Sequence, residues 1–213
     1  EGSSRSGASF DLDMTILSTS SEQNFFKYLS EQNGILWRNK SIMRQVFGSL
    51  LSFLRGQTPY DAFRNHHYLK GVTSSKVEEI AERLVQDVLL EKISKKALER
   101  INWHRQSGDR IVMISATLEP IARRIGNELN FDQIYAVKLP ENINGKLTGS
   151  EKGGQIPRRR GKVPIIRNDA EQNNIDLRSS WGYGNSFADS WFMRQCGHAM
   201  AVNADRRLEK EAI

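Results

Sequence analysis

Ala8-Ser9-Phe10-Asp11-Leu12-Asp13-Met14-Thr15 is a short β-prone run that ends in two acids and a threonine at alternating positions. Two carboxylates held this close repel unless a cation or a proton lies between them. Aspartate is also common where strands end, so the same residues fit a turn with solvated acids. The rest of the chain is organised around this run. Similar β-prone stretches follow at Ile111-Val112-Met113-Ile114, Ile134-Tyr135-Ala136-Val137, Ser180-Trp181-Gly182-Tyr183 and Ala199-Met200-Ala201-Val202. Several lack period-two alternation, as strands covered on both faces do. Helical patterns lie between them, at Glu119 to Asn130 with Pro120 near its start and at Val163 to Asn174. The alternation predicts an α/β fold built on a Rossmann-like, mostly parallel open sheet.

From about Glu22 to Arg105 the rhythm changes. This stretch holds no convincing strand and reads as several helices. Val77-Ile80-Ala81-Leu84-Val85-Val88 recurs at three- and four-residue spacing, and Thr73-Ser74-Ser75 offers caps before it. The expected division is a core of residues 8–17 and 105–213 with an inserted helical cap at 18–104. Trp37, Phe47, Phe53 and Phe63 fall in the insert and read as its core rather than as a ligand cage.

In an open α/β sheet, ligands bind beyond the carboxyl ends of the strands, so the polar residues after each strand are the candidates. Ser115-Ala116-Thr117 offers a hydroxyl to an anion, or a cap to the next helix. Lys162 follows the loop from Gly153 to Gly161; it suits a phosphate as a point charge, or it is a surface lysine, with Lys152 as a nearby rival. Gly182-Tyr183-Gly184-Asn185-Ser186-Phe187-Ala188-Asp189 combines glycines that permit a tight turn with oxygens at Asn185 and Asp189. Those oxygens suit a hard cation such as Mg²⁺, or an Asx cap.

Taken in order, these motifs resemble the haloacid dehalogenase superfamily, in its phosphoserine-phosphatase-like branch. The resemblance rests on Phe10 to Thr15, Met113 to Thr117, Gly161-Lys162-Val163 and Gly182 to Asp189. Ile101 to Arg105, Gly145 to Gly149 and Ala201 to Asp205 followed by Leu208 add to it, so that it covers nearly the whole chain from Ala8. It implies a Mg²⁺-dependent phosphomonoester hydrolase that forms an aspartyl-phosphate on Asp11. Asp13 would protonate the leaving oxygen and then activate water. Thr15, Ser115, Ala116 and Lys162 would bind the phosphate. Asp11, Asp13, Asn185 and Asp189 would hold Mg²⁺, and the insert would cover the site.

The chain departs from that pattern twice. The family usually has aspartate where Asn185 stands, which removes one negative charge and predicts weaker Mg²⁺ binding. A phosphate- or metabolite-binding pseudo-phosphatase is therefore an alternative, as is a phosphotransferase. Resembling phosphoserine phosphatases also carry a cap glutamate soon after the first motif. Here Ser18-Thr19-Ser20-Ser21 stands there with Glu22 displaced, so the expected substrate is a small phosphorylated metabolite and not phosphoserine in particular.

Bulk properties bound the remainder. A length of 213 residues suits one domain with a modest insert. Hydrophobic residues at 38% and charged residues at 26% fit a soluble globular chain. No apolar run is long enough to span a membrane, and residues 1–7 carry no apolar core of a signal peptide. A single cysteine, Cys196, fits a reducing compartment, so a cytoplasmic location is expected; the thiol reads as packing. The net charge of +6 favours an anionic partner or is only solvating charge. Arg158-Arg159-Arg160 lacks interleaved aromatic residues and reads as a solvated loop, with no nucleic-acid partner expected. His66-His67, His104 and His198 lack metal-ligand spacing and read as surface or local packing.

Overall fold

All four residues of β1 (Gly7–Phe10) are buried, as a run without alternation requires of a strand covered on both faces. In the computed structural model, which describes residues 5–151 and 157–211, β1 is the middle strand of a sheet. Its partners are β2 (Arg110–Leu118), β3 (Gln133–Val137), β4 (Trp181–Gly184) and β5 (His198–Ala201). The order is β3-β2-β1-β4-β5, and every pairing is parallel. The chain leaves β1 toward β2 and β3 on one side and returns to β4 and β5 on the other. The strand order therefore reverses beside β1, where a crevice opens at the carboxyl ends.

Between β1 and β2 come α1 (Ser21–Leu54, broken at Gly34 with φ 81°), α2 (Pro59–Arg64), α3 (Ser74–Leu84) and α4 (Lys95–Gln106). Later helices are α5 (Glu119–Glu128), α6 (Lys162–Gln172), α7 (Ser190–Met193) and α8 (Arg206–Glu211). For Tyr60, Asp61 and Phe63 only the backbone is described, so the expected packing of Phe63 lies outside the described residues, as does Lys152.

The apolar stripe of α3 does what its spacing predicts: Val77, Ile80, Ala81 and Leu84 are buried in the main core, and Thr73 Oγ1 accepts from Lys76 N at 3.3 Å. An aromatic cluster locks the two central strands. Phe10 stacks on Tyr183 with centroids 4.3 Å apart. His104 of α4, fully buried, joins Asp109 Oδ2 through Nδ1 at 2.7 Å and Tyr183 OH through Nε2 at 2.8 Å. Arg110 on β2 grips Asp169 on α6 through two bonds of 2.9 and 2.8 Å, which fixes the helix that begins at Lys162. Buried Cys196 packs in a second apolar cluster.

Three expectations are corrected. Ser115-Ala116-Thr117 lies within β2, not after it; the β2–β3 register shifts between Ile114 and Leu118, so the strand bends and carries the motif to the rim. Phe47 and Phe53 are exposed, because the second half of α1 turns its apolar side outward. Arg158 is not solvated: it is held inside by Glu151 through bonds of 2.8 and 3.0 Å.

Candidate active site

The chain turns sharply just past β1. Asp11 N donates to Tyr183 O at 2.9 Å, so Asp11 still follows the sheet. Leu12 O then accepts from the amides of Thr15, Ile16 and Leu17 at 3.3, 2.9 and 2.9 Å. Met14 takes φ 58°, and its carbonyl accepts from Asn203 Nδ2 at 3.0 Å, which pins a conformation that methionine rarely adopts. The result places Asp11 and Asp13 on the wall of one cleft.

Across that cleft, α6 delivers Lys162 and the loop after β4 delivers Asp189. Lys162 Nζ donates to Asp11 Oδ1 at 2.7 Å and to Asp189 Oδ1 at 2.6 Å. Asp189 is 3% exposed and Lys162 2% exposed. Asp189 Oδ2 also accepts from Ser186 N at 3.1 Å and Ser186 Oγ at 2.6 Å. Gly184 is needed for close packing rather than for a turn: a Cβ there would lie 2.5 Å from Asp189 Cβ. Asp205 ties the loop down, accepting from Phe187 N at 3.0 Å, while its own amide donates to Asn185 O at 2.8 Å.

A second set of contacts holds Asp13. Ser21 N donates to its Oδ1 at 3.0 Å, and the hydroxyls of Thr117 and Ser20 approach at 3.4 Å. Ser115 Oγ joins Thr117 Oγ1 at 3.2 Å. Asp11, Asp13, Ser115, Ala116, Lys162, Asn185 and Asp189 all line this one cleft of ≈ 280 Å³. Thr15 alone among the anticipated residues stands behind the wall; it is buried, and its hydroxyl finds no hydrogen-bond partner among the described residues. An unpartnered buried hydroxyl is unfavourable, which marks it as a donor in want of an acceptor.

The electrostatics follow from this packing. Burial lifts the Asp11 carboxyl to about 7; the Lys162 ammonium opposes the rise and Asp189 reinforces it. Burial likewise raises Asp13, against the hydrogen bonds from Ser21 and Thr117. Burial alone would lower Lys162, but the Asp11 and Asp189 carboxylates hold its ammonium above the ordinary lysine range. One ammonium between two carboxylates leaves one negative charge over in a buried place, and a proton or a further cation balances it. The donors beside that charge are carboxylate and amide oxygens, the type that hard divalent cations take. The residues present therefore fit Mg²⁺.

Sequence reasoning did not assign four charged residues of the cleft to the site. Glu22 lines the cleft although it is displaced in sequence, with its Oε1 3.3 Å from His66 Nε2. Arg64, Arg158 and Arg159 line the same side. Only the arginine run ahead of Lys162 offered a signal, and nothing local set it apart from a solvated loop. His66 is buried and lies between Glu22 and Glu151, whose carboxylate also holds Arg158; burial and these contacts make it a packing histidine.

The sequence profile of the haloacid dehalogenase-like hydrolases matches residues 8–194. The chain is 29% identical over 212 residues to a "probable phosphatase" of Mycobacterium tuberculosis, covering 98% of this chain and 72% of that one. It is 26% identical over 211 residues to a histidinol-phosphatase of Neisseria meningitidis, covering 96% and 93%. Its fold superposes on a phosphoserine phosphatase solved as a phospho-aspartyl intermediate analogue with a TM-score of 0.68, at 18% identity and covering 98% and 91%.

Proposed function

The chain belongs to the haloacid dehalogenase-like hydrolases, and from that membership we propose a Mg²⁺-dependent phosphatase that hydrolyses small phosphomonoesters through an aspartyl-phosphate on Asp11. One observation carries the reading: Lys162 Nζ stands between the buried carboxylates of Asp11 and Asp189 at the rim of a parallel sheet. That arrangement supports assigning Asp11 as nucleophile, Lys162 as the cation that neutralises phosphate and Asp189 as a metal ligand.

The steps assigned to the residues are these. An Asp11 carboxylate oxygen attacks phosphorus while the bond to the ester oxygen breaks. Asp13, whose raised carboxyl keeps a proton more readily than an ordinary aspartate, passes it to the departing oxygen. Asp13 then takes a proton from water as the water oxygen attacks phosphorus. The bond from Asp11 to phosphorus breaks, and inorganic phosphate and the Asp11 carboxylate are restored. Lys162, Ser115 and the Ala116 backbone hold the phosphate oxygens, and Thr15 supports the same wall. Asp11, the Asp13 carbonyl, Asn185 and Asp189 would hold Mg²⁺, which supplies charge neutralisation at the phosphate.

Residues 18–104 are assigned as a cap over a core of residues 8–17 and 105–213. Supporting this, α1 to α4 all lie between β1 and β2, and Glu22 and Arg64 from that segment line the cleft. The volume of ≈ 280 Å³ favours a small ester. The test is phosphate release from p-nitrophenyl phosphate with and without Mg²⁺, together with mass spectrometry of acid-quenched protein. Release that needs Mg²⁺ and a phosphoryl adduct on Asp11 are the expected results. Release that persists unchanged in Asp11→Asn would sink the assignment.

A further inference from the structure

Past the break at Gly34, α1 is packed inside out. Its inward side is small and polar. Ser41 and Ser49 are buried there, Gln45 Nε2 donates to Asn65 O at 2.7 Å, and Ser52 Oγ lies 3.1 Å from His67 Nε2. Gly48 abuts the His67 ring, where a Cβ would come within 2.4 Å. Its outward side is apolar: Leu36 is 83% exposed, Met43 73%, Leu54 71% and Phe47 63%. At about 100° per residue, the exposed apolar positions from Ile35 to Leu54 form one stripe about 140° wide, interrupted only by the exposed Asn39. Nothing else among the described residues covers it.

The charges beside the stripe are of one sign. No aspartate or glutamate occurs between Gln32 and Tyr60, whereas Arg38, Lys40, Arg44 and Arg55 do, and all four are exposed. On the same helical projection Arg38 lies beyond one edge of the stripe and Lys40 and Arg44 beyond the other, and Arg55 caps the helix end. Beside the helix runs a groove of ≈ 560 Å³ with Arg44, Arg55 and Lys70 on its walls next to Phe47 and Leu51. No helix among the described residues is long and apolar enough to cross a membrane.

We propose that residues 35–54 form an interfacial helix that seats this protein on an anionic lipid surface. The stripe enters the acyl boundary, and the flanking cations and the groove meet headgroup phosphates. Charge decides between occupants. A second copy laid face to face would bring two cationic helices together with no carboxylate in either segment, whereas anionic lipid supplies the missing sign. This inference does not depend on the catalytic assignment.

The test is co-sedimentation of the full chain with vesicles of phosphatidylcholine alone and of phosphatidylcholine with one-third phosphatidylglycerol. Two variants accompany it: Met43→Ser/Phe47→Ser/Leu50→Ser, and Arg38→Gln/Lys40→Gln/Arg44→Gln/Arg55→Gln. Melting temperature reports whether each is folded. The expected result is partitioning at least about tenfold stronger onto the anionic vesicles, weakened by salt, and lost by about tenfold or more in each variant. Equal binding to both vesicle types, or no loss in the folded serine variant, overturns the proposal. So does a dimer in analytical ultracentrifugation that the serine variant dissolves while vesicle binding by the native chain is absent.

Discussion

Lys162, Asp11 and Asp189 are charged and almost wholly buried, whereas Leu36, Met43 and Phe47 are apolar and face outward. Both regions reverse the ordinary sorting of side chains, in opposite directions. At the sheet rim the reversal is compensated in part inside the chain: one ammonium bonds two carboxylates, Ser186 bonds Asp189, and one negative charge is left over. On α1 it is not compensated, because the inward hydrogen bonds of Gln45 and Ser52 hold the helix but leave its apolar side in water. Each region is therefore completed by something of a different kind. A buried charge left over asks for a small cation or a proton. An apolar stripe left over asks for a surface.

The rim makes the largest claim. Asp11→Asn should lower phosphate release by at least about 10⁴-fold in a Mg²⁺-supplemented assay, since the nucleophile is gone, while the protein stays folded. A drop of only a few-fold would make the buried pair structural and erase the contrast with α1. Next in size, Lys162→Met should destabilise the fold by about 3–5 kcal/mol in urea titrations at pH 8, because two buried carboxylates lose their partner.

Metal binding at the rim depends on pH and on charge. With the Asp11 carboxyl lifted to about 7, binding of Mg²⁺ must displace a proton below that value. Affinity measured by calorimetry should therefore strengthen as pH rises toward about 7 and level off above it. Asn185→Asp adds one carboxylate to the donor set and should tighten Mg²⁺ by about tenfold. An unchanged constant would remove position 185 from the metal site.

Behind the rim, His104 gives a smaller and separate effect. Burial lowers its pKa, against the pull of Asp109. In the unfolded chain the imidazole gains its proton near its ordinary value of about 6.5, before the folded state does. Stability should thus fall as pH drops below about 6.5, by at most about 1.4 kcal/mol per pH unit, until the folded value is reached. Urea midpoints at pH 7.5 and 5.5 measure this, and the slope contributed by this residue should vanish in His104→Gln. The smallest effect belongs to α1: Met43→Ser and Phe47→Ser should each change stability by less than about 0.5 kcal/mol. A larger loss would mean that the stripe is covered within the chain after all.

The order of strands and helices, the parallel sheet and the carriers of charge at the rim were legible in the residues themselves. Unalternated runs mark strands covered on both faces, and polar residues that follow them mark the carboxyl edge. Asp11, Asp13, Ser115, Lys162, Asn185 and Asp189 were reached this way, and they converge in one cleft. Glu22 and Arg64 were not, because residues of a helical segment approach the rim only through its packing, which no local pattern encodes. The contact of Thr117 with Asp13 has the same origin, since it joins positions 104 residues apart, whereas Ser20 and Ser21 reach Asp13 from just along the chain.

The deepest division lies in α1. Periodicity establishes that a helix from Ile35 to Leu54 has an apolar side and a polar side, and the sequence by itself determines both. It does not say which side meets the protein, because helical spacing is the same whichever way the helix is rotated. Only the tertiary structure decided that, through Asn65 and His67, whose polar groups meet Gln45 and Ser52 and turn Met43 and Phe47 toward water.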